Sequence, residues 1–380
     1  MTRRHLLLVT LAVLILAAGV YGSVRLTART SPFDTELDER LDGGYFTVLD
    51  PEGRILLQTG RILTVGDEFI TADNQEYVIY KMEGDHAHAR YRRQITLPRS
   101  VGPDWPWYRT WLGRVGEQPA QGGGQATVGI LHSHSAESYV PSDGTESRPT
   151  GGGIIQVGRS FAEALEKQGL RTIHDTTSHA PHDAGAYTRS RRTAVDLMRQ
   201  NVSAIFDVHR DAAPPGAYKT EIDGEQATQI LLVVGRQNPK LGSNRTFAQR
   251  LKAAADEVQP GLVKGVLTAQ GRYNQDLLDR MVILEVGAHT NRREDAEAGV
   301  AKLAEAVPAL LGAAGAGRGA QSRSGWVTLA WILGGLVVLL GVYLYLATGS
   351  WEELKNKLRG FFGGREFADL FRRSGPRSEE

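Results

Sequence analysis

The sequence predicts an α/β protein: a twisted, mostly parallel sheet flanked by helices, preceded by a small β-module and bracketed by two membrane segments. Three observations predict it. Short apolar runs alternate with helix-spaced apolar residues between residues 126 and 311. β-Branched and aromatic runs broken by turn residues fill 44–98, and a long uncharged run lies near each end of the chain.

The amino-terminal run, Leu6 to Tyr21, follows Arg3, Arg4 and His5, so residues 1–22 read as a membrane anchor or a signal segment. Residues 23–43 are a linker. From Gly44 onward, "YFTVLD", "ILLQTG", "RILTVGD", "EFITADNQ" and "EYVIYKM" are strand-like, with turn chemistry at Pro51 to Gly53 and Asp73-Asn74, which predicts an antiparallel β-module over 44–98. Residues 99–125 end in "QPAQGGGQ", a linker composition.

Beyond the linker, Thr127–His132, Arg171–His174, Ala204–Val208, Ile230–Gly235 and Met281–Val286 are apolar runs of the kind buried in an α/β sheet. Between them Val157, Phe161, Ala164 and Leu165 share one helical face. The same spacing recurs in Tyr187, Ala194, Leu197 and Met198, in Phe247, Leu251, Ala255 and Val258, and in Val300, Leu303, Val307 and Leu310. Residues 126–311 are thus one α/β domain and 312–325 a flexible tether. Trp326 to Leu346 carries no charge and is long enough for a bilayer core of roughly 30 Å. The tail, 347–380, is basic, which puts both termini in the cytoplasm and the domains outside it. Its "WEELKNKLRGFF" is either an interfacial amphipathic helix or a solvated one.

Composition narrows the chemistry. Lysine plus arginine number 44 against 43 acidic residues, a balance that points away from nucleic acid. With no cysteine, a metal must be held by His, Asp or Glu. Three strands end in suitable groups: His132, His134 and Glu137 after the first, His209 after "AIFDV", and Glu285 in "ILEVG". Sites in open α/β sheets form at the carboxyl ends of strands, so these side chains are expected to converge. His134 and Glu137, three apart on the turn leaving the strand, together with His209, make a ligand set for zinc that leaves room for water. Glu285 is then placed to act as proton acceptor for that water. His132 stays open as an alternative ligand or a supporting residue. An HxH pair is weak by itself, since His86 and His88 repeat it at what reads as an exposed strand end. His174, His179 and His182 lie in a loop that either borders the site, contributing a ligand, or is simply solvated.

"HSHSAESY", "VGRSFAEALEKQGL", "AIFDVHRDA", "GRYNQDL" and "ILEVGAHTN" resemble, in order and spacing, the motifs of the stage II sporulation protein P family. The resemblance implies a zinc-dependent peptidoglycan hydrolase related to the N-acetylmuramoyl-L-alanine amidases, cleaving the amide between muramic acid and the stem peptide, with cleavage of peptide cross-links also attributed to the family. It implies His134, Glu137 and His209 as ligands, Glu285 as the catalytic glutamate, and Arg210, Asn274 and Asp276 as groove residues of unassigned role. It also implies action in engulfment at the cell membrane, beside a glycan-cleaving partner resembling stage II sporulation protein D. In related amidases a glutamate ligand opens the helix after the first strand. Here that place reads "TGGGIIQVG", so the carboxylate must come from Glu137 or Glu146. The family is described with an amino-terminal anchor only, so the second membrane segment departs from it. The reading from another class is a non-catalytic envelope protein that binds peptidoglycan or a partner.

Overall fold

A computed structural model describes residues 38–40, 42–98 and 125–311. The two membrane segments, the tether, the basic tail and nearly all of both linkers lie outside the described residues. Among the described residues no helix is long and apolar enough to cross a membrane.

The β-module supplies β1 (Phe46–Leu49), β2 (Ile55–Thr59), β3 (Glu68–Thr71), β4 (Gln75–Glu83) and β5 (His86–Gln94). Gly84, at φ +58°, allows the two-residue turn that pairs Glu83 with His86. The α/β region runs β6 (Thr127–Leu131), α1 (Val140–Asp143), α2 (Ile154–Lys167), β7 (Arg171–His174), α3 (Ala186–Arg199), β8 (Ala204–Asp211), β9 (Lys219–Ile222), β10 (Glu225–Thr228) and β11 (Ile230–Gly235). It ends with α4 (Leu241–Val258), β12 (Val263–Ala269), β13 (Met281–Ala288), α5 (Arg293–Ala304) and α6 (Val307–Leu311).

The two regions share one 11-stranded sheet in the order β2-β1-β5-β4-β3-β12-β11-β13-β8-β6-β7. The junction is β3 against β12, antiparallel, with Ile70 opposite Val266. Within β12-β11-β13-β8-β6-β7 every pairing is parallel except β11 with β13. In the β-module all pairings are antiparallel except β1 with β5. The mostly parallel character expected from the sequence therefore belongs to the α/β half alone.

β8, β11 and β13 are buried along their whole length, as their apolar runs require. One face of this central sheet is covered by helices: Val157, Phe161 and Leu165 of α2, Phe247 and Leu251 of α4, and Val300 and Leu303 of α5 pack with Phe206, Leu232, Val234 and Leu284. Phe161 meets Phe206 edge to face at 5.3 Å, and its truncation to alanine would cost about 3–5 kcal/mol. The other face differs from the expected helical flank. Among the described residues only α3 lies there, over Leu131 and Ile205, while Leu231, Val233 and Ile283 are covered by Val48, Leu57, Tyr218 and Tyr273 from strands and loops. The β-module, read from sequence as a separate unit, supplies part of that cover.

"RILTVGD", expected as a strand, makes only the single bridge of Arg61 to Glu39 and then a turn, and three strands, β9, β10 and β12, were not anticipated from the sequence. β12 is interrupted by Lys264 and Gly265, which breaks its apolar run, and Gly265 is needed because a Cβ there would meet Ile70 O at 2.3 Å. β9 and β10 form a hairpin through Asp223 (φ +54°) and Gly224 (φ +80°), a dipeptide suited to a type I′ turn. The helix expected to run from Val300 to Leu310 is broken at Glu305 and Ala306, ahead of Pro308.

Candidate metal centre

The site forms where β6, β8 and β13 end side by side. After β6 the chain turns sharply. The Ser133 N–H donates to Asp207 Oδ1 at 2.8 Å, its hydroxyl donates to Asp207 Oδ2 at 2.6 Å, and the Glu137 N–H donates to His134 O at 3.1 Å. That turn presents His134 and Glu137 to the same point. It is backed by the glycines of "TGGG": a Cβ on Gly152 would lie 1.8 Å from Glu137 O. The segment bearing Glu137 thus fills the space above the start of α2, where no carboxylate is encoded.

Glu137 Oε2 accepts the Arg210 N–H at 2.9 Å, leaving Oε1 facing two imidazoles: His134 Nδ1 at 3.1 Å and His209 Nδ1 at 3.4 Å. Two further residues join them. Glu39 Oε2 is 3.2 Å from His134 Nδ1 and 3.4 Å from His182 Nε2. Donor atoms of Glu39, His134, Glu137 and His182 all lie within 4.8 Å of one another. A tetrahedral zinc with bonds of about 2.0–2.1 Å holds its donors about 3.3–3.4 Å apart. The spacing fits such an ion, as does the donor set of imidazole and carboxylate. Buried Glu39 Oε2 and His182 Nε2 have no hydrogen-bond partner among the described residues, an arrangement that a cation would relieve.

Electrostatics point the same way. Burial opposes a charge on His134, but the hydrogen bond to Glu137 and the adjacent carboxylates of Glu39 and Asp38 outweigh it and hold the imidazole up at about 9. Burial likewise opposes a charge on His209, and Asp207 and Glu137 raise it well above its ordinary value. Glu137 is held well below the usual carboxylate range, with His209 and Arg210 overriding its burial. Buried carboxylates that demand positive charge in this way are suited to a metal ion. Asp207 Oδ1 is 2.9 Å from His209 Nε2, close but off the line of a good hydrogen bond, and it fixes which ring nitrogen faces Glu137.

Glu285 is the register partner of His209 on the adjacent parallel strand, so the two side chains stand next to each other. Burial pushes its carboxyl up to about 7, with Arg61 working against that shift. Arg61 Nε donates to Glu285 Oε1 at 2.6 Å, and Oε2 has no hydrogen-bond partner among the described residues. The Tyr187 ring stacks 6.1 Å from His209 and stands edge-on 5.4 Å from His134, walling the imidazoles in.

The structure thus places His134 and Glu137 in one donor cluster with Glu39 and His182, while His209 faces Glu137 Oε1 from beside that cluster and Glu285 stands next to His209. His132 turns away: its Nδ1–H donates to Val208 O at 2.9 Å and its Nε2 meets His174 Nε2 at 2.8 Å, so both nitrogens are engaged outside the cluster. Arg210 does border the site, with NH1 on Glu39 at 2.9 Å and NH2 on Glu146 O at 3.2 Å. Glu146 itself lines an adjoining cavity of about 170 Å³ with Arg210, His182 and His289. Asn274 and Asp276 act at one remove. Both hold Arg191 of α3, and Asn274 Nδ2 donates to Tyr187 O at 2.9 Å, which steadies the helix end carrying Tyr187. His86 and His88 lie on β5 outside the cluster, His88 beside Glu83 at 2.9 Å.

Glu39, Arg61 and Tyr187 were not singled out as site residues by sequence. His182 was, as one of three loop histidines. His179 pins that loop by donating Nδ1–H to His132 O at 2.7 Å and receiving Thr193 Oγ1 at Nε2. Glu39 is delivered by a short antiparallel bridge to Arg61, in which the Arg40 N–H donates to Gly60 O at 2.8 Å and the Ile62 N–H to Asp38 O at 3.0 Å. Gly60 allows this, because its N–H donates to Asp211 Oδ1 and a Cβ there would strike Ala212 Cβ at 2.6 Å.

Comparison with known proteins gives similarities to both sequence and structure. Stage II sporulation protein P of Bacillus subtilis (strain 168) is 30% identical over 192 residues, which cover 46% of this chain and 48% of the relative. The chain therefore spans about half the length of the curated relative it matches. Among solved structures, the N-acetylmuramyl-L-alanine amidase Ami1 from Mycobacterium smegmatis is 14% identical, with a TM-score of 0.34 over 50% of this chain and 98% of its own. The catalytic domain of CwlV, an amidase of Bacillus (Paenibacillus) polymyxa var. colistinus, is 15% identical, with a TM-score of 0.32 over 50% of this chain and 99% of its own. The CwlD amidase from Clostridioides difficile, solved in complex with the GerS lipoprotein, is 16% identical, with a TM-score of 0.30 over 50% of this chain and 98% of its own. The family model for stage II sporulation protein P matches residues 80–308, more than half of the sequence and including every strand end that builds the site. The chain belongs to the stage II sporulation protein P family.

Proposed function

We propose that this protein is a zinc-dependent peptidoglycan hydrolase that cleaves the amide between N-acetylmuramic acid and L-alanine, with stem-peptide cross-links as a second substrate. The observation that carries the reading is the spacing of His134 Nδ1 and His209 Nδ1 around Glu137 Oε1, at 3.1 and 3.4 Å, beside a glutamate on the next strand. Zinc held by these residues would supply a Lewis acid for the scissile carbonyl and lower the pKa of a water to around 7.

The chain's own groups do the rest. Glu285, with its carboxyl pushed up to about 7, accepts a proton from the attacking water at its free Oε2 and returns it to the leaving amine. Arg61 fixes the other oxygen, so the carboxylate stays oriented through both transfers. Asp207 holds His209 in one tautomer, and Tyr187 excludes water from the imidazole faces.

The setting is proposed with the activity. Anchors at Leu6–Tyr21 and Trp326–Leu346 hold the domain on the outer side of the cell membrane, where it acts in sporulation engulfment beside a glycan-cleaving enzyme resembling stage II sporulation protein D. Purified full-length protein incubated with zinc and isolated cell wall tests the chemistry. Release of stem peptides with a free L-alanine amine, abolished by a chelator, is expected. A zinc-loaded protein that releases no peptide would instead support the non-catalytic envelope role.

A further inference from the structure

Catalytic zinc sites keep one position open, whereas four protein donors close the shell as in structural sites. Here the donors exceed the three needed. Glu39, 2% exposed, places Oε2 within 3.2 Å of His134 Nδ1, the same nitrogen that faces Glu137 Oε1. Its other oxygen accepts Arg210 NH1 at 2.9 Å. The preceding residue, Asp38, accepts Arg61 NH1 at 2.9 Å, and Arg61 is the residue that holds Glu285. Two adjacent carboxylates thus engage a metal ligand, a cation at the cavity wall and the cation beside the proton acceptor.

We propose that Asp38–Arg40 is a pseudo-substrate strap whose Glu39 carboxylate is an additional ligand to the metal centre and must leave before a substrate amide can enter. The inference rests on the zinc-hydrolase reading above. Three features support it. Oε2 of Glu39 is buried between two imidazole nitrogens, His134 Nδ1 at 3.2 Å and His182 Nε2 at 3.4 Å, a spacing that one shared cation would suit. The strap is held by the backbone bonds of one bridge, Arg40 to Gly60 and Ile62 to Asp38, and otherwise by ion pairs of its side chains with Arg61, Arg210 and Asp85, contacts that a charged substrate can exchange. The positive group it neutralises at the cavity wall, Arg210, is the one that would meet the carbonyl or carboxylate groups of an acidic peptide once freed.

The full chain and its Glu39→Gln and Asp38→Asn variants provide the test. Zinc affinity is measured by competition with a chelating dye, solubilisation of isolated cell wall by product release, and integrity by thermal unfolding. For Glu39→Gln, zinc stays stoichiometric while its dissociation constant rises on the order of tenfold. Wall hydrolysis rises on the order of tenfold as the open state gains population. Asp38→Asn, which loosens the strap while leaving every donor side chain in place, raises hydrolysis with no more than a severalfold change in zinc affinity, since Asp38 lies 4.0 Å from His134 Nε2, and keeps the test decisive if Glu39→Gln unfolds. A fall in hydrolysis together with zinc affinity would make Glu39 an ordinary ligand of the working site and overturn the strap. Unchanged hydrolysis in both variants would overturn it too. Wild-type protein that binds no zinc would sink the underlying reading as well, and is told apart by that measurement alone.

Discussion

Asp207 touches no donor position of the proposed centre yet should control it. Its carboxylate lies 2.9 Å from His209 Nε2 and accepts the Ser133 N–H and hydroxyl at 2.8 and 2.6 Å, so one buried group orients two ligand-bearing segments. Asp207→Asn keeps the shape and one oxygen but removes the charge. Mutating a residue that supports a ligand histidine typically weakens metal affinity about 10–100-fold, or about 1.4–2.8 kcal/mol at about 1.4 kcal/mol per decade. Because Asp207→Asn keeps the shape and removes only the charge beside His209, the expected loss is at the lower end, roughly tenfold. The assay is zinc competition against a chelating dye at neutral pH, with thermal unfolding as a control for the lost ion pair. If Asp207→Asn bound zinc like the wild type while unfolding more easily, His209 would be an ion-pair partner of Asp207 and Glu137, not a ligand.

Two other substitutions separate chemistry from structure. Glu285→Gln should bind zinc normally while wall hydrolysis falls roughly 10²–10⁴-fold, and normal hydrolysis would remove Glu285 as the proton acceptor. His132 should matter for stability in acid. Burial and the neighbouring His174 hold its folded-state pKa down to about 3 from an ordinary 6.5. A histidine with a depressed folded value leaves stability intact above 6.5 and loses it as pH falls, by roughly 1.4 kcal/mol per unit. Thermal unfolding followed between pH 6.5 and 4 should fall less steeply for His132→Gln than for the wild type, and equal slopes would contradict this.

The parts of the site legible in the sequence are those that hang on strand ends. "TVGILH", "AIFDV" and "MVILEV" are apolar runs that bury themselves in a sheet whatever surrounds them, and the polar residues that follow each run are carried to one edge. His134, Glu137, His209 and Glu285 were readable for that reason. The choice between His132 and His134 was not, because it depends on Gly158: a Cβ there would lie 2.4 Å from His132 Nε2, so the missing side chain opens the space that takes His132 away from the cluster.

Glu39 and Arg61 were invisible for a different reason. Their role comes from a tertiary bridge and from the β3–β12 junction that docks the β-module on the α/β half, and neither leaves a local pattern. β12 was lost to its Lys264-Gly265 interruption, although the hairpin signal at Asp223-Gly224 was there to be read. The functional edge was thus written in periodicity, while the elements that close over it were written only in packing.

X-ray absorption at the zinc edge of the purified full-length protein, with His134→Ala and His209→Ala beside it, tests the proposed placement of zinc among His134, Glu137 and His209. One zinc per chain is expected, bound by nitrogen and oxygen donors that include two imidazoles, with loss of one imidazole or of the metal in each variant. Stoichiometric zinc whose imidazole count is unchanged by either substitution, or a full-length protein that takes up no zinc, would contradict it.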